Sequence, residues 1–599
     1  MEIKQTEFNL TPLFNGDNDP RMMEERAKTE ALSRAFINKW KDRSDYLENV
    51  AASKEALDEY EFWQRTCGAD GDEGYYFWMR SNQDKVDPAI KANVNKITEF
   101  SDRIANEIMF FELRLGKIDI ERQDEFLSAE ELKKYHAFLT RIFKKAKYKL
   151  SEAEERIMNL KNDPAFNNWH KMVSGLLSRE EREILQEDGS RALKSFSAIT
   201  ELTKSQNKAV RDEATDAASE IFLKYIDVAE NELNSILQDK KINDELRGYT
   251  RPDESRHVRD NIETEVVDAL VSTVSARFDI PARFYELKAK LFGMEKLDYN
   301  DRNVQYGQID KSFSYADSID LVHEVLGELD PQFAQILKKF VDEGAIDVYP
   351  RKGKCSGAFC AHYLITQPTY ILLNHADKLS DVLTLAHEVG HGINNELTKE
   401  KQNALDFGTS TATAEVASTF MEDFLLERIL RDADEELRLV IMMKKLDDLV
   451  ATIFRQVALY KFEQELHRDF REKGYLSKDE IGKLFVKHMS SYMGEAVLQN
   501  QDAENRWIPW SHIRYFFYVY SYASGLLISK SLQSSVKSNP EFINEVKKFL
   551  SSGLSASPKQ VFADLEIDIT DAGFWQKGLD EIEALLNETT TLARKLGKI

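Results

Sequence analysis

The chain has 599 residues, of which 42% are hydrophobic and 31% charged, and its formal net charge at pH 7 is −23. This acidic balance argues against non-specific binding to nucleic acid and against binding to anionic membranes, because both need basic surface. The length exceeds one simple hydrophobic core, so two or more lobes are expected, and the low content of proline (12) and glycine (25) favours helices over a turn-rich β architecture.

The sequence predicts no targeting or membrane-spanning segment. Its first residues lack the apolar stretch of a signal peptide, and no uninterrupted apolar run of about 18 residues occurs. The three cysteines, Cys67, Cys355 and Cys360, are too few and odd in number for a disulfide framework. We therefore expect a soluble protein of a reducing compartment, the cytoplasm.

Long amphipathic helices are predicted in the first half of the chain. Residues 23–49, 125–162 and 180–246 are charged and rich in Ala, Leu, Glu and Lys. No fixed-period repeat is present, which favours a helical bundle over a solenoid. A coiled-coil scaffold is the alternative for residues 128–160.

Strand character is concentrated in a short central part of the chain. Residues 346–349, 358–365 and 369–373 are β-branched or aromatic and are separated by glycine or proline. They predict a small sheet, one edge of which could pair with an extended peptide whatever its side chains.

His387, Glu388 and His391 form the sequence HEVGH within a segment of helical character. Residues i and i+4 share one face of a helix, so both imidazoles can bind one ion. Glu388 lies beside them, where its carboxylate can take a proton from a metal-activated water. This is the HExxH arrangement of zinc proteases. The alternative is a helix with two histidines that make ordinary hydrogen bonds.

The residues around HEVGH predict the limits of its helix. Ser380 is the predicted N-cap, and Asp381 suits the first turn. Gly390 and Gly392 each weaken a helix by about 1 kcal/mol relative to alanine, so they are expected where another backbone or a substrate comes close. The polar residues 398–411 predict a mobile loop.

A zinc protease needs a third ligand. The metzincin pattern HExxHxxGxxH is excluded, since Asn394 and Leu397 replace its glycine and third histidine. Residues 411–430 predict a further helix that offers Glu415 as the third ligand. Glu422 lies two turns further along the same face and can hydrogen-bond a ligand histidine. An ordinary solvated carboxylate is the alternative for Glu415.

Six stretches of the sequence resemble the oligoendopeptidase F branch of the thimet oligopeptidase family. They are NLTPLF (9–14), YPRKGKCSGAFC (349–360), PTYILLN (368–374), KLSDVLTLAHEVGHGIN (378–394), TAEVASTFMED (413–423) and FYVYSYASG (517–525). Their order is far more specific than HExxH alone. The resemblance is dense over residues 345–427 and 507–532. Elsewhere the chain shares only helical character with the family.

The resemblance implies a mostly α, two-lobed metallopeptidase with a small β-sheet beside the active site and a deep substrate channel. The expected domains are an N-terminal helical lobe at 1–190, a helical middle section at 191–340 and a catalytic lobe at 341–599. The implied activity is zinc-dependent hydrolysis of internal peptide bonds in short unstructured oligopeptides.

Carried over position by position, the resemblance also implies residue roles. One Zn²⁺ is expected to be held by His387, His391 and Glu415, with Glu388 as the general base. The residues expected to face the scissile carbonyl are His512, Tyr518, Tyr520 and Tyr522, and those expected to contact substrate are Gly357, Ala358 and Phe359.

The sequence does not decide which of the tyrosines faces the scissile carbonyl. On an ideal helix Tyr515, Tyr518 and Tyr522 share one face, and Tyr520 points away from it. A buried aromatic helix is the alternative for the whole segment.

Two other functions compete with the endopeptidase. A zinc aminopeptidase or other exopeptidase would need a site for the free α-amine, and the GxMEN-type signature of one large aminopeptidase class is absent. A non-catalytic peptide-binding protein is the second alternative. It is disfavoured because His387, Glu388, His391 and Glu415 are all present.

Overall fold

A computed structural model describes residues 1–309 and 311–599, and 68% of the structure is helical. This confirms the mostly α prediction. The α-helices of the described residues are α1 Arg21–Trp40, α2 Val50–Thr66, α3 Gly71–Gln83, α4 Pro88–Ile108, α5 Phe110–Leu115, α6 Ile120–Ser128, α7 His136–Ala146, α8 Glu152–Asn162, α9 Asn168–Ser178, α10 Phe196–Leu202, α11 Lys208–Arg247, α12 Glu254–Asp260, α13 Thr264–Ala276, α14 Asp279–Leu291, α15 Tyr315–Leu329, α16 Pro331–Asp342, α17 Leu379–Lys401, α18 Val416–Asp432, α19 Glu435–Leu449, α20 Arg455–Lys473, α21 Lys478–Met493, α22 Tyr520–Ser538, α23 Ile543–Leu550, α24 Pro558–Ala563 and α25 Ala572–Lys595.

Short strands form three small sheets in the described part of the chain. The strands are β1 Glu181–Leu185, β2 Arg191–Ser195, β3 Leu297–Asp298, β4 Ile346–Asp347, β5 Phe359–Ala361, β6 Tyr370–Leu372 and β7 Val497–Leu498. Strands β1 and β2 pair antiparallel, and β3 pairs with β7 in parallel. In the third sheet β6 is central, parallel to β4 and antiparallel to β5. The small sheet predicted before HEVGH is therefore confirmed, with shorter strands.

The chain forms two compact units, each built from three segments. The first unit comprises Met1–Lys147, Asp310–Arg431 and Ser535–Glu566, and the second comprises Tyr148–Ile309, Asp432–Ser534 and Ile567–Ile599. The domain division at residues 190 and 340 stays a prediction. Among residues 1–309 and 311–599, no helix has the length and apolar character needed to cross a membrane.

In the first unit, helix α17 is anchored by all three chain segments. It packs against α15, α16, β5, β6 and α23. The side chains of Asn394 and Thr398 donate hydrogen bonds of 3.0 and 3.1 Å to the carbonyl of Leu550 in α23. Glu61 of α2 accepts the N–H of Ala404, just beyond α17. The helix that carries HEVGH is thus held against elements from both ends of the chain.

The long helices predicted in the first half of the chain are divided. The sequence predicts one long helix over residues 180–246, but this segment contains the β1–β2 hairpin followed by α10 and α11. The hairpin turns at Gly189, whose φ of +81° is a conformation that glycine adopts without steric cost. An Asp-Gly turn therefore prevails over the helix propensity of the flanking Glu, Arg, Leu and Ala residues.

Candidate active site

Helix α17 begins two residues earlier than predicted and is capped differently. Ser380 is not the N-cap, because the helix starts at Leu379 and Lys378 takes that position. Asp381 lies in the first turn, as expected, and its carboxylate accepts the N–H groups of Lys378 at 3.0 Å and of Ala376 at 2.7 Å. A carboxylate here also suits the positive end of the helix dipole.

His387, His391 and Glu415 come together at one point of the first unit. The Nε2 atoms of His387 and His391 lie 3.3 and 3.5 Å from Oε2 of Glu415, and the potential ligand atoms of all three residues lie within 4.8 Å of one another. Tetrahedral zinc with bonds of about 2.0–2.2 Å places its ligand atoms about 3.3–3.5 Å apart. The spacing and the donor types therefore fit a zinc ion.

Glycine at position 390 allows the two ligand-bearing segments to approach each other. A Cβ atom on Gly390 would lie 2.6 Å from the Cα of Ser418 and 2.7 Å from the carbonyl oxygen of Ala417, both in α18. A Cβ on Gly392 would lie 2.6 Å from the ring of Phe340. The close approach expected from these glycines is therefore to another backbone at Gly390 and to an aromatic ring at Gly392.

Glu415 lies immediately before α18 and not within a helix as predicted. Its carbonyl accepts the N–H of Thr419 at 3.1 Å, so it occupies the capping position of the helix. The hydroxyl of Ser418 donates to Oε2 of Glu415 at 3.0 Å. The sequence pattern alone does not indicate a role for Ser418, although a serine three residues after a candidate ligand is one turn away from it.

Glu422 contacts the opposite side of the His387 imidazole, as the spacing of the two glutamates predicts. Its Oε2 lies 3.3 Å from Nδ1 of His387. Burial disfavours the charged imidazole, but hydrogen bonds to Glu415 and Glu422 raise the pKa of His387 to about 10. Burial likewise acts against the charge of Glu415, yet its hydrogen bonds with His387 and His391 hold its pKa well below the usual range. Carboxylates that stabilise a positive charge on His387 can likewise stabilise a bound cation.

Glu388 is buried, with 7% of its surface exposed. Burial raises the pKa of its carboxyl group, while the backbone N–H of Cys360 in β5 hydrogen-bonds to it. The raised pKa brings Glu388 closer to the range in which a carboxylate can both accept and return a proton. The backbone of Cys360 was not anticipated from the sequence, because no side-chain pattern reports a main-chain donor.

The predicted substrate-contacting residues Gly357, Ala358 and Phe359 lead into β5, an edge strand. In β6, the N–H of Ile371 donates to the carbonyl of Ala345, so the main-chain hydrogen-bonding groups of Ile371 point toward β4. Those of the residues on either side of Ile371 point toward β5. These neighbours pair with Phe359 and Ala361. Because hydrogen-bonding groups alternate along a strand, the N–H and C=O of Cys360 point away from the sheet. The Gly357 carbonyl accepts the side-chain amide of Asn374 at 2.8 Å.

Residues 398–411 differ in part from the predicted loop. Helix α17 continues through Lys401, so the first four of these residues are helical. Beyond the helix, Arg141 forms an ion pair of 2.8 Å with Asp406 and donates to the carbonyl of Leu405 at 2.7 Å. These contacts fix the chain between the two histidines and Glu415.

The aromatic segment lies in the second unit and is not a continuous helix. Helix α22 starts only at Tyr520, and the residues before it include Phe516 and Phe517 with φ angles of 51° and 56°. Tyr515 and Tyr518 precede this helix, so the prediction that they share one helical face with Tyr522 is wrong. Two successive left-handed phenylalanines are strained by roughly 1–3 kcal/mol each, and such strain clusters at functional sites.

A buried glutamate holds this strained turn. Glu463 of α20 has no exposed surface, and its Oε2 accepts the N–H of Phe517 at 2.6 Å. Burial raises the pKa of Glu463 to about 8. The carboxyl group thereby fixes the main chain just before Tyr518.

His512, Tyr518 and Tyr522 lie together, whereas Tyr520 points elsewhere. Nε2 of His512 is 3.1 Å from the hydroxyl of Tyr522, and the rings of Tyr518 and Tyr522 are 5.4 Å apart. Tyr520 is fully buried, and its hydroxyl donates to Asp260 at 2.9 Å. The first three side chains are half-buried and can meet a ligand, while the Tyr520 hydroxyl already has a partner.

Comparison with known proteins gives matches to two family models and to curated relatives. The family model described as Peptidase family M3 matches residues 201–581, and the model described as Oligopeptidase F matches residues 114–179. Group B oligopeptidase PepB of Streptococcus agalactiae is 25% identical over 532 residues, which cover 87% of each chain. Oligopeptidase PepF of Bacillus subtilis is 26% identical over 528 residues, covering 85% of this chain and 78% of the relative.

Solved structures share the fold. A putative peptidase from Chlamydophila abortus superposes with a TM-score of 0.86 at 21% identity, covering 99% of this chain and 100% of that one. Oligoendopeptidase-F from Enterococcus faecium gives a TM-score of 0.70 at 19% identity, with 96% and 99% covered. Since the family model spans more than half of the sequence, the chain belongs to Peptidase family M3 and is a metalloendopeptidase of the oligoendopeptidase F type.

Proposed function

We propose that this protein is a zinc-dependent endopeptidase that hydrolyses internal bonds of short unstructured oligopeptides. The observation that carries the proposal is the convergence of His387, His391 and Glu415 within 4.8 Å, with Glu388 on the same helix. Two imidazoles and a carboxylate are the ligand set of a catalytic zinc site, which keeps a further position for water or substrate. The names of the relatives, oligopeptidases and oligoendopeptidases, support the size class of the substrate.

Glu388 and Glu422 have different roles in the proposed hydrolysis. Zinc, when bound, supplies Lewis acidity that lowers the pKa of water to about 7 and polarises a carbonyl. Glu388 accepts the proton of the attacking water and later delivers it to the leaving amine. Glu422 accepts a hydrogen bond from Nδ1 of His387, which leaves Nε2 as the ligand atom and fixes the ring.

The outer edge of β5 is proposed to hold the peptide backbone. Cys360 directs its C=O away from the sheet, while its N–H bonds to Glu388. Ala358, two residues earlier in the same alternation, is proposed to direct both its N–H and its C=O away from the sheet. A peptide paired along this edge is bound through its main chain, so cleavage tolerates many sequences. Gly357, the start of this segment, leaves room because nothing lies within 4 Å of a Cβ placed on it.

A digestion of matched peptides tests the proposed activity. The zinc-loaded enzyme should cut an N-acetylated peptide and its free counterpart at the same internal bonds, since no α-amine site is invoked. A stably folded protein should survive, because an extended chain is required. A chelator should abolish cleavage, and added zinc should restore it. Mass spectrometry of the products provides the measurement.

Each of the competing functions predicts a different result in that digestion. Removal of single residues from the free peptide, with the acetylated one left intact, would identify an aminopeptidase. Binding of both peptides without turnover would identify a non-catalytic peptide-binding protein. Rapid internal cleavage of the folded protein would contradict the requirement for an extended chain.

The two glutamates near His387 should differ in their effect on zinc affinity. Glu415→Ala removes a ligand and is expected to leave the site largely empty, whereas Glu422→Ala removes only the partner of His387 and should weaken binding by about 10- to 100-fold. Competition with a chromophoric chelator measures both affinities. Glu427→Ala, on the same helix, is the control and should bind zinc normally. If Glu422→Ala empties the site and Glu415→Ala does not, the two roles are reversed.

A further inference from the structure

A cavity of about 380 Å³ lies in the first unit against the strand that precedes HEVGH. Its walls come from α3 and α4 on one side and from β5 and the two residues after it on the other. Strand β5 is the one whose Cys360 N–H reaches Glu388. The cavity is therefore next to the proposed peptide-binding edge.

The cavity has predominantly apolar walls. Trp78 and Ile97 line it, together with Val94 and Tyr75. The hydroxyl of Tyr75 is engaged with the carbonyls of Ala361 and Pro368, both at 3.0 Å, so the residue presents its ring. Trp78 also packs on Phe359, with ring centroids 5.0 Å apart. Such walls suit the methylene groups of a long side chain.

One carboxylate lines this cavity without a cationic partner. Asp70 precedes α3, but its side chain makes no capping hydrogen bond. Across residues 1–309 and 311–599, no lysine or arginine forms an ion pair with it, and Tyr363 is its hydrogen-bond partner. His362, also in the lining, adds no charge near neutral pH, because burial lowers its pKa to about 4.

Glycine at position 74 fixes where the Asp70 side chain can lie. A Cβ atom on Gly74 would be 2.6 Å from the Cβ of Asp70, closer than real contacts allow. Because this Cβ is fixed to the backbone, any larger residue at position 74 would shift the main chain at Asp70 and move the carboxylate with it.

We propose that this cavity is a specificity subsite for an arginine or lysine side chain of the peptide substrate. The stem of that side chain packs against Trp78 and Ile97, and its cation pairs with Asp70. A neutral aromatic side chain is disfavoured, because it would desolvate the carboxylate without compensation. The inference rests on the proposed function, since it assumes a peptide paired along β5.

Peptides that differ at one residue test the subsite. A fixed N-acetylated sequence carries arginine, methionine or phenylalanine in turn at each of the positions flanking the cleaved bond. At one position, kcat/KM for arginine should exceed that for methionine by about 10- to 100-fold, as expected for a charge-assisted hydrogen bond. In Asp70→Asn this ratio should fall to about one.

Control variants separate the subsite from general electrostatics and from misfolding. Asp102→Asn removes an exposed charge on α4 that is not in the lining, and the arginine-to-methionine ratio should keep its wild-type value. Gly74→Ala displaces the carboxylate while keeping its charge and should lower the ratio too. Circular dichroism confirms that each variant is folded.

The outcomes distinguish the subsite from the activity itself. An unchanged ratio in Asp70→Asn, or a preference for phenylalanine over arginine at every position, would overturn the subsite while leaving the endopeptidase intact. If no peptide is cut, the proposed function fails, and binding of the same peptides to Glu388→Gln still decides the subsite. There, equal affinity for the arginine and methionine peptides would overturn it.

Discussion

Replacing Glu388 by glutamine should leave zinc bound and lower kcat by about 10²- to 10⁴-fold. Glutamine preserves the size of the side chain and retains an oxygen that can accept the N–H of Cys360, but it cannot take up a proton at neutral pH. His387 and His391 are untouched, so metal content should stay at one ion per chain. Elemental analysis and turnover of an acetylated peptide, measured on the same sample, test both parts.

Glu400→Gln is the matched control for that experiment. Glu400 lies on the same helix, is exposed, and accepts a hydrogen bond from Gln332 at 3.2 Å. Its replacement should leave turnover unchanged. Turnover near the wild-type value in zinc-loaded Glu388→Gln would contradict the assignment of the general base.

The second large effect is expected from the aromatic segment. His512→Ala and either Tyr518→Phe or Tyr522→Phe should lower kcat and kcat/KM together by about 10²- to 10³-fold while KM changes little. Attack on a carbonyl places negative charge on its oxygen, and a neutral hydroxyl or imidazole N–H donates a hydrogen bond that strengthens only as this charge develops. Steady-state kinetics on an acetylated peptide, at matched zinc content, provide the measurement.

Tyr520→Phe should behave differently from its neighbours. Its hydroxyl donates to the buried Asp260, so its loss should lower the free energy of unfolding by about 1.5–3 kcal/mol, as for a hydrogen bond to a charged group. Tyr475→Phe serves as the control, because this exposed tyrosine of the same unit also donates to a carboxylate, that of Glu230, but in contact with solvent. If every Tyr→Phe variant keeps full kcat, these residues are structural aromatics.

Local periodicity predicts that His387 and His391 share one helical face, whereas the proposed role of Glu415 rests on its distance along the chain and on the family resemblance. The i and i+4 spacing of His387 and His391 depends only on helix geometry, and the two-turn spacing of Glu415 and Glu422 places both near one histidine. Contacts between segments that are distant in the chain were harder to predict from the sequence. The glycine at position 390 predicts a close neighbour but does not identify Ser418 as that neighbour. No side-chain pattern indicates that the Cys360 amide reaches Glu388.

Other errors arose where turns or strained residues prevail over propensity. The residues of β1 and β2 have helix-forming side chains, and only the Asp188–Gly189 pair indicates a hairpin. The sequence predicts Phe516 and Phe517 as ordinary helical aromatics, yet both are left-handed, and buried Glu463 accepts the N–H of Phe517. The sequence does not indicate a role for Asp70, because the function of a single aspartate can be inferred only when the cavity that it lines is known.

The division of each unit into three segments has a consequence for how the protein is made. The helix with HEVGH ends at Lys401, but Leu550, which receives the hydrogen bonds of Asn394 and Thr398, is synthesised 149 residues later (550 − 401). At about 5–20 residues per second, the ribosome needs roughly 7 to 30 seconds to cover that distance. During this interval the nascent metal-binding helix lacks its C-terminal partner, so a chain that stops before residue 535 leaves that helix without one of its supports. No single cut in the gene separates the two units.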